Sequence, residues 1–365
     1  MIHFVIGTRA QLFKMAPIMK ECDKQGLQWR WVYTAQHKDT IENTTKVFGI
    51  KSPDYILFNW DTEAKTMRKV WFWFFKSLLQ LRKGKKILDG YTGKNNIVLT
   101  HGDTLTTWWG ALLGRLNRCK VMHVESGLRS FNLFKPFPEE INRLITFRLS
   151  DVYACPGDWA VENLKKYKGE KINTKENTQM DVLRFGLKNC DNAKLDFRVK
   201  KPFAVASLHR YENIFKEERF IEIIDRTEDI AKKFHVYWVQ HPATKEQLNK
   251  LSALKKRLTG NKNVTLLPRL EYLQFIKLVK DSEFVITDGG GNQEELYHMG
   301  KPTLLFRNET ERKEGLDETA VISKLDKNII NDFLKSYDKY KRPAFQKTAY
   351  PSKIIVNYLK DHKYG

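Results

Sequence analysis

Two acidic residues in the middle of the chain stand just after short apolar segments. Asp103 follows residues 97–100 through His-Gly, and Glu125 directly follows residues 121–124. Both segments have the length and β-rich composition of buried strands, and residues 104–116 between them predict a crossover helix. Ligands of open parallel sheets bind at the carboxyl ends of the strands. We therefore expect both acids at one edge of a sheet.

A third acid follows a stiff Pro-Phe-Pro sequence at residues 136–138. Glu139 and Glu140 open a predicted helix, and acids in a first turn are favoured by the helix dipole. The alternative for Glu139 is a surface residue that pairs with Arg143. Together the three acids favour a site for a charged sugar or a phosphate. The apolar residues that share one face of this predicted helix are Ile141, Leu144, Ile145 and Leu149.

Three consecutive glycines, Gly289, Gly290 and Gly291, lie between a predicted strand at 284–287 and a predicted helix. Such a run is costly in chain entropy unless the backbone must approach something closely. The N–H groups at a helix N-terminus bind phosphate. The run therefore favours a phosphate site over a bare tight turn.

A glycine between a predicted strand and a predicted helix also lies near the start of the sequence. Gly7 follows the predicted strand at residues 2–6, and Arg9 and Lys14 lie beside the helix that comes next. This arrangement suits an anion, but it lacks the full dinucleotide-binding glycine pattern. An ordinary βα turn with exposed basic residues is the alternative.

His209 is the candidate acid or base in the second half of the chain. It follows a predicted strand at 203–207 and is flanked by Arg210 and Glu212. Histidine titrates near neutral pH. A structural histidine at a strand end is the alternative.

The order of elements predicts an α/β protein of two Rossmann-like domains facing a central cleft. Strands and helices alternate through residues 1–170, and the alternation restarts in residues 195–349. The polar residues 168–200 have little apolar periodicity and predict the boundary. A chain of 365 residues suits two domains.

Composition and net charge limit the partners and the cellular location to be expected. The net charge is +21, which would suit nucleic acid, anionic lipid or an anionic substrate. Basic residues are scattered and no nucleic-acid-binding motif is present, so we expect no nucleic-acid partner. The four cysteines form no C-x-x-C pair, as in reduced intracellular proteins. No signal peptide or apolar run long enough to span a bilayer is visible, and we expect a cytoplasmic protein.

Residues 68–86 do not fit one simple interpretation. Six apolar residues, 70–75, lie between basic clusters, and on a helix they would point in every direction. Burial in the core or against a second subunit is one reading. Contact with a bilayer interface, at the inner membrane surface, is the other.

Taken together, these motifs resemble the bacterial UDP-N-acetylglucosamine 2-epimerases nearly from end to end. The resemblance rests on seven pieces in the family's order and spacing. They are Gly7-Thr8-Arg9 with Lys14-Met15-Ala16-Pro17, His101-Gly102-Asp103-Thr104, His123 to Arg129, Pro138 to Arg143, His209 to Asn213, Asp288 to Glu295, and Thr310-Glu311-Arg312.

The resemblance implies the glycosyltransferase-B arrangement, with a C-terminal helix at 350–365 that crosses back to the first domain. It implies that the acid/base and cation-stabilising groups are Asp103, Glu125 and Glu139, and it places His209 among the catalytic and diphosphate-binding residues. It implies that a UDP-sugar is bound by Arg9, Lys14, Arg143, Phe275 (uracil), Gly289, Gly290, Gly291, Glu295 (ribose) and Arg312.

The implied reaction interconverts UDP-GlcNAc and UDP-ManNAc, without hydrolysis, by elimination and re-addition of UDP, for surface polysaccharide. It needs no metal or nicotinamide, and the sequence shows no ligand cluster for either. A homodimer is expected. Two alternatives are a hydrolysing epimerase that releases ManNAc and UDP, and a membrane-associated glycosyltransferase of the same fold that uses a UDP-sugar donor.

Some positions depart from the family pattern. Ala10-Gln11 stands where the family usually has Pro-Glu, Gly289 where it has Ser, and Lys313 where it has Pro. The region after Gln36-His37, where some members bind an activating UDP-sugar, matches poorly, and residues 68–86 are unlike a soluble epimerase.

Overall fold

The computed structural model describes residues 1–34, 41–58, 75–133, 137–310, 312–345 and 349–365. The chain divides into two compact units. Unit 1 comprises Met1–Val182 together with Ala349–Gly365, and unit 2 comprises Leu183–Thr348. Each unit contains one parallel β-sheet.

Unit 1 is built on a seven-stranded sheet in the order β3-β2-β1-β4-β5-β6-β7. All of its strand pairs are parallel. Its strands are β1 (Ile2–Ile6), β2 (Trp29–Tyr33), β3 (Tyr55–Ile56), β4 (Ile97–His101), β5 (Lys120–Val124), β6 (Val152–Cys155) and β7 (Glu170–Asn173). Its helices are α1 (Arg9–Gln25), α2 (Ile41–Phe48), α3 (Gly84–Ile87), α4 (Leu105–Leu116), α5 (Glu139–Leu149), α6 (Asp158–Asn163), the first turn of α7 (Gln179–Asn189), and α15 (Pro351–Asp361).

Unit 2 has a six-stranded parallel sheet in the order β10-β9-β8-β11-β12-β13. Its strands are β8 (Phe203–Ser207), β9 (His235–Val239), β10 (Val264–Leu267), β11 (Phe284–Thr287), β12 (Thr303–Leu305) and β13 (Ala320–Ile322). Its helices, after α7, are α8 (Tyr211–Ile214), α9 (Glu217–Ala231), α10 (Pro242–Lys250), α11 (Ser252–Gly260), α12 (Tyr272–Asp281), α13 (Gly290–His298) and α14 (Lys327–Ser336).

Both faces of the unit 2 sheet are covered by apolar cores. Ala204 and Ala206 of β8 pack into one buried cluster, whereas Phe203 and Val205 pack into another. Successive side chains of a strand point to opposite faces, so these clusters lie on opposite sides of the sheet. A sheet covered on both faces explains why its strands are continuous apolar runs.

The predicted strands of the central segment are confirmed, as are those at 2–6, 152–155, 203–207, 264–267 and 284–287. Three strands were not predicted: β3, β7 and β13 lie at or next to sheet edges and have two to four residues each. The polar residues 168–200 also contain α7, a helix that their weak apolar periodicity did not indicate.

Helix α5 leaves its predicted apolar face, formed by Ile141, Leu144, Ile145 and Leu149, only partly buried. Its buried residues are Glu140, Asn142, Thr146 and Phe147. Glu140 and Asn142 are buried because ion pairs and hydrogen bonds satisfy them, as polar groups in an interior require. Apolar spacing alone does not reveal a helix face held by polar contacts.

Of the segment 68–86, residues 68–74 lie outside the described residues, and the description resumes at residue 75. Residues 75–80 are helical, and the Phe75 and Leu79 side chains are both 62% exposed. The alternatives of a subunit contact and a bilayer contact therefore stay predictions. Among the described residues, no helix has the length and apolar character needed to cross a bilayer.

The four cysteines are free and buried. Cys22 lies on α1, Cys119 precedes β5, Cys155 ends β6 and Cys190 follows α7. Burial raises the pKa of the Cys22 and Cys155 thiols to about 12 and also raises the pKa of Cys119 and Cys190.

Candidate active site

Glu125 stands directly after β5, in a cationic environment. Its Oε2 accepts a hydrogen bond from Lys14 Nζ at 2.6 Å and lies 3.1 Å from His101 Nε2. The Glu125 side chain is 12% exposed. Burial alone would raise its pKa, but Lys14 and His101 hold that pKa well below the usual range of a carboxyl. Glu125 is therefore an ionised carboxylate.

The backbone of Glu125 is left-handed, with φ of +61°. This conformation is unfavourable for residues other than glycine and asparagine. It turns the chain at the end of β5 just where the carboxylate meets Lys14. Strain at such a position is typical of functional sites.

Asp103, after β4, pairs with Arg143 of α5. Arg143 donates to Asp103 Oδ2 from Nη2 at 2.5 Å and from Nε at 3.0 Å. Asn142 Nδ2 also donates to the backbone carbonyl of Asp103 at 2.8 Å. The acid is therefore fixed to α5 by both its side chain and its backbone.

The two acids that begin α5 have different environments. Glu140 is fully buried and accepts hydrogen bonds from Arg129 Nε at 2.5 Å, the Ser130 N–H at 3.0 Å and Arg143 Nη1 at 3.2 Å. Burial would raise its pKa, but these donors lower it overall. Glu140 is therefore the structural ion-pair partner. The sequence-based alternative, a pair between Glu139 and Arg143, is not observed.

Glu139 is half-buried, and its Oε2 is buried with no hydrogen-bond partner among the residues that the structure describes. A buried carboxylate oxygen without a donor is costly. Such an oxygen is suited to accept a proton from a bound ligand.

Gln11 joins two turns that carry site residues. Its Oε1 accepts from the backbone N–H groups of Gly7 and Thr8 at 2.9 and 3.2 Å. Its Nε2 donates to the His101 carbonyl at 2.8 Å and to Thr104 Oγ1 at 3.0 Å. The residue is 2% exposed. An amide suits this position because one end must accept and the other must donate.

Arg9 begins α1, and its guanidinium lies 5.1 Å from the centre of the Phe13 ring. Thr8 caps the helix through a capping box with Gln11. Arg9 and Lys14 thus lie on the same helix as the Gln11 contacts.

In unit 2, Asp288 holds the turn that carries His209. This fully buried carboxylate accepts from the His209 N–H at 3.0 Å, the Arg210 N–H at 3.0 Å and Asn213 Nδ2 at 2.9 Å. His209 Nδ1 lies 3.6 Å from Asp288 Oδ1. The His209 ring lies 5.1 Å from that of His241 and is 36% exposed.

The three glycines open α13 as predicted, with Gly289 as the N-cap. A Cβ on Gly289 would meet His209 Cε1 at 2.8 Å, whereas one on Gly291 would meet no atom within 4 Å. A side chain at position 289 would therefore crowd the His209 ring. The N-terminus of α13 offers the N–H groups expected of a phosphate site.

Phe275 and Glu295 line one small, mainly apolar pocket of unit 2, with Asn292 and Met299. Arg312 is held by an ion pair to Glu294 at 2.8 Å, and its carbonyl accepts from Gln293 Nε2. Both contacts tie it to α13.

The structure thus groups the predicted residues by unit. Asp103, Glu125, Glu139, Arg143, Lys14 and Arg9 lie in unit 1, and His209, Phe275, Gly289, Gly290, Gly291, Glu295 and Arg312 lie in unit 2. Sequence reasoning did not single out Gln11, Glu140, Asn142 or Asp288 as site residues. Asp288 could have been found from its place at a strand end, but the others are revealed by their contacts.

No group of three or more His, Cys, Asp or Glu side chains in the described part of the chain could hold a metal ion.

Comparison with known proteins shows the family of the chain. Residues 20–352 match the family model of UDP-N-acetylglucosamine 2-epimerase. The chain is 33% identical to the Campylobacter jejuni enzyme of that name over 92% of this chain and 89% of the relative. It is 32% identical to the Bacillus subtilis enzyme of that name over 99% and 95%.

Solved structures agree as well. The Neisseria meningitidis UDP-GlcNAc 2-epimerase bound to UDP-GlcNAc has a TM-score of 0.77 and 30% identity, covering 99% of both chains. The Methanocaldococcus jannaschii enzyme has a TM-score of 0.81 and 25% identity, also covering 99% of both. The chain belongs to the UDP-N-acetylglucosamine 2-epimerase family.

Proposed function

We propose that this chain interconverts UDP-GlcNAc and UDP-ManNAc. The observation that carries the proposal is the grouping of three carboxylates at the carboxyl edge of the unit 1 sheet. Asp103 and Glu125 follow the neighbouring strands β4 and β5, and α5, which begins with Glu139, contacts Asp103 through Arg143. Inversion at carbon 2 of a sugar needs groups of this kind.

The proton on carbon 2 is barely acidic, so the reaction must also break the bond between carbon 1 and the UDP oxygen. As UDP leaves with that bonding pair, carbon 1 becomes cationic and a carboxylate removes the carbon 2 proton. The product is a glycal with a double bond between carbons 1 and 2. Protonation of carbon 2 from the opposite face and re-addition of UDP to carbon 1 complete the inversion.

The carboxylates suit different steps. Glu139, whose Oε2 has no partner among the described residues, is suited to accept the proton. Glu125 is ionised and held by Lys14, so it is suited to stabilise positive charge at carbon 1. Asp103, oriented by Arg143, would pass a proton from solvent to the opposite face of carbon 2, and Glu139 would release its proton to solvent, so that both acids return to their starting states.

Unit 2 would hold UDP. The N-terminus of α13 would supply N–H groups to the diphosphate. His209 lies near that end, beside Gly289, and Arg312 is bound to the helix through its ion pair with Glu294. Phe275 and Glu295 share the pocket proposed for uracil and ribose. The homodimer, a membrane contact through residues 68–86 and the cytoplasmic location stay predictions.

The test is incubation with UDP-GlcNAc in heavy water, followed by proton NMR. We expect UDP-ManNAc that carries deuterium at carbon 2, and we expect Glu139→Gln to abolish it. Glu162→Gln is the matched control because that acid lies on α6 and its side chain is 65% exposed. Release of free ManNAc, or no reaction with this sugar nucleotide, would contradict the proposal.

A further inference from the structure

His123, the fourth residue of β5, is fully buried, and the proposed reaction does not use it. Its two ring nitrogens contact the turns on both sides of it. Nε2 lies 2.7 Å from the carbonyl oxygen of Gly102, and Nδ1 lies 2.9 Å from Ser126 Oγ. The ring packs against Phe147 of α5, with ring centres 5.5 Å apart.

These partners determine where the ring proton lies. A carbonyl oxygen can only accept, so Nε2 must carry a hydrogen and donate it to Gly102. Burial lowers the pKa of His123 to about 4, so the ring is neutral at neutral pH. Nδ1 is then an acceptor, and the Ser126 hydroxyl donates to it.

The two contacted residues adjoin the candidate catalytic acids. Gly102 precedes Asp103, and Ser126 follows Glu125. Gly102 has φ of +69° and Glu125 has φ of +61°. Glycine adopts such a φ readily, but a left-handed residue such as Glu125 persists only where its surroundings hold it, and His123 supplies a side-chain contact to both turns.

We propose that His123 is a positioning residue that, neutral and protonated on Nε2, fixes the turn carrying Asp103 to the turn carrying Glu125. The idea rests on the proposed function, since it concerns the same carboxylates. His123 acts through Gly102 and Ser126. His123 belongs to unit 1, whereas the proposed UDP-binding residues belong to unit 2.

Three substitutions separate the two contacts. In His123→Gln, the amide nitrogen is separated from Cβ by as many bonds as Nε2 is in histidine. It can therefore still donate to the Gly102 carbonyl. His123→Asn reaches only as far as Nδ1, and His123→Phe keeps the ring shape without either nitrogen. We expect kcat to fall about 100-fold in the Phe and Asn variants, as for a small misplacement of reacting groups. We expect KM to change less than about 3-fold and Gln to restore most of kcat.

Two measurements do not depend on turnover. Nitrogen-15 NMR of the wild type at neutral pH should show a hydrogen on Nε2 of His123 and none on Nδ1. Hydrogen exchange at the Gly102 amide, which donates to the Val124 carbonyl at 3.0 Å, should be about tenfold faster in the Phe variant than in wild type and Gln.

The outcomes separate the two proposals. An inactive wild type would contradict the epimerase proposal, and the inference would then be decided by the tautomer and the exchange rates. An Nδ1-protonated or charged ring overturns the inference. Hydrogen exchange at the Gly102 amide that is unchanged in the Phe variant would also overturn it. A Phe variant as active as wild type would do the same.

Discussion

Gly289 leaves the space that the His209 ring occupies, because a Cβ on this residue would lie 2.8 Å from His209 Cε1. In this chain, the position of the His209 ring depends on the absence of a side chain at residue 289. The histidine side chain is 36% exposed, so its ring has room to move if a Cβ is added.

Gly289→Ala and Gly289→Ser should therefore fold, yet displace the His209 ring from its place beside His241. We expect both to lower kcat about tenfold, because the proposed site needs the ring in position. Steady-state kinetics would measure this. Gly260→Ala is the control, since a Cβ there would meet nothing within 4 Å. Full activity in the Ala variant would refute the dependence.

Glu139 and Glu140 should behave oppositely. Glu140→Gln weakens a buried pair with two arginines, and we expect it to lower the free energy of unfolding by about 3 kcal/mol. Glu139→Gln should leave stability nearly unchanged and abolish turnover. Urea denaturation and the NMR assay measure the two effects. Equal losses of stability in both variants would show that the assignment is wrong.

Lys14→Met should destabilise the chain in a pH-dependent way. The pKa of Glu125 is lower in the folded chain than usual, so its ionised form stabilises the fold at neutral pH, and this stabilisation is lost as the pH falls through and below the usual carboxyl range. We expect the variant to lose about 1–2 kcal/mol at neutral pH. The difference from wild type should narrow in acid.

Urea denaturation at a series of pH values would measure that difference. Lys24→Met is the matched control, because Lys24 lies on the same helix with its side chain 75% exposed. A loss of stability that is constant across the pH range would contradict the role of Glu125.

Gln11→Ala should lower the free energy of unfolding by about 2–3 kcal/mol, since it leaves the buried N–H groups of Gly7 and Thr8 without an acceptor. Gln11→Glu keeps that acceptor but sets a carboxylate against the His101 carbonyl. We expect it to lose a smaller amount. Thermal denaturation would rank the two variants, with Lys24→Ala as control. A Glu variant more stable than wild type would show that a hydrogen-bond donor to the His101 carbonyl is not needed at position 11.

The sequence alone was sufficient to place Asp103, Glu125 and the glycine run, because strand ends can be located from short apolar segments and parallel sheets bring those ends to one edge. It could not tell which of Glu139 and Glu140 is buried, because neighbouring helix residues differ only in the direction they face. Gln11 could not be assigned a role either. Its contacts to Gly7 and Thr8 are local, but the acceptors of its amide group, His101 and Thr104, are about ninety residues away in the chain, and no local pattern encodes those contacts.

The four cysteines make the intact chain a poor substrate for thiol-modifying reagents. Such reagents attack the thiolate, and here every sulfur is enclosed and its deprotonation is disfavoured. Modification must therefore wait for local or global opening. Cys22, Cys119 and Cys155 are in unit 1 and Cys190 is in unit 2, so the rate at which each thiol is modified measures how often the structure around that thiol opens.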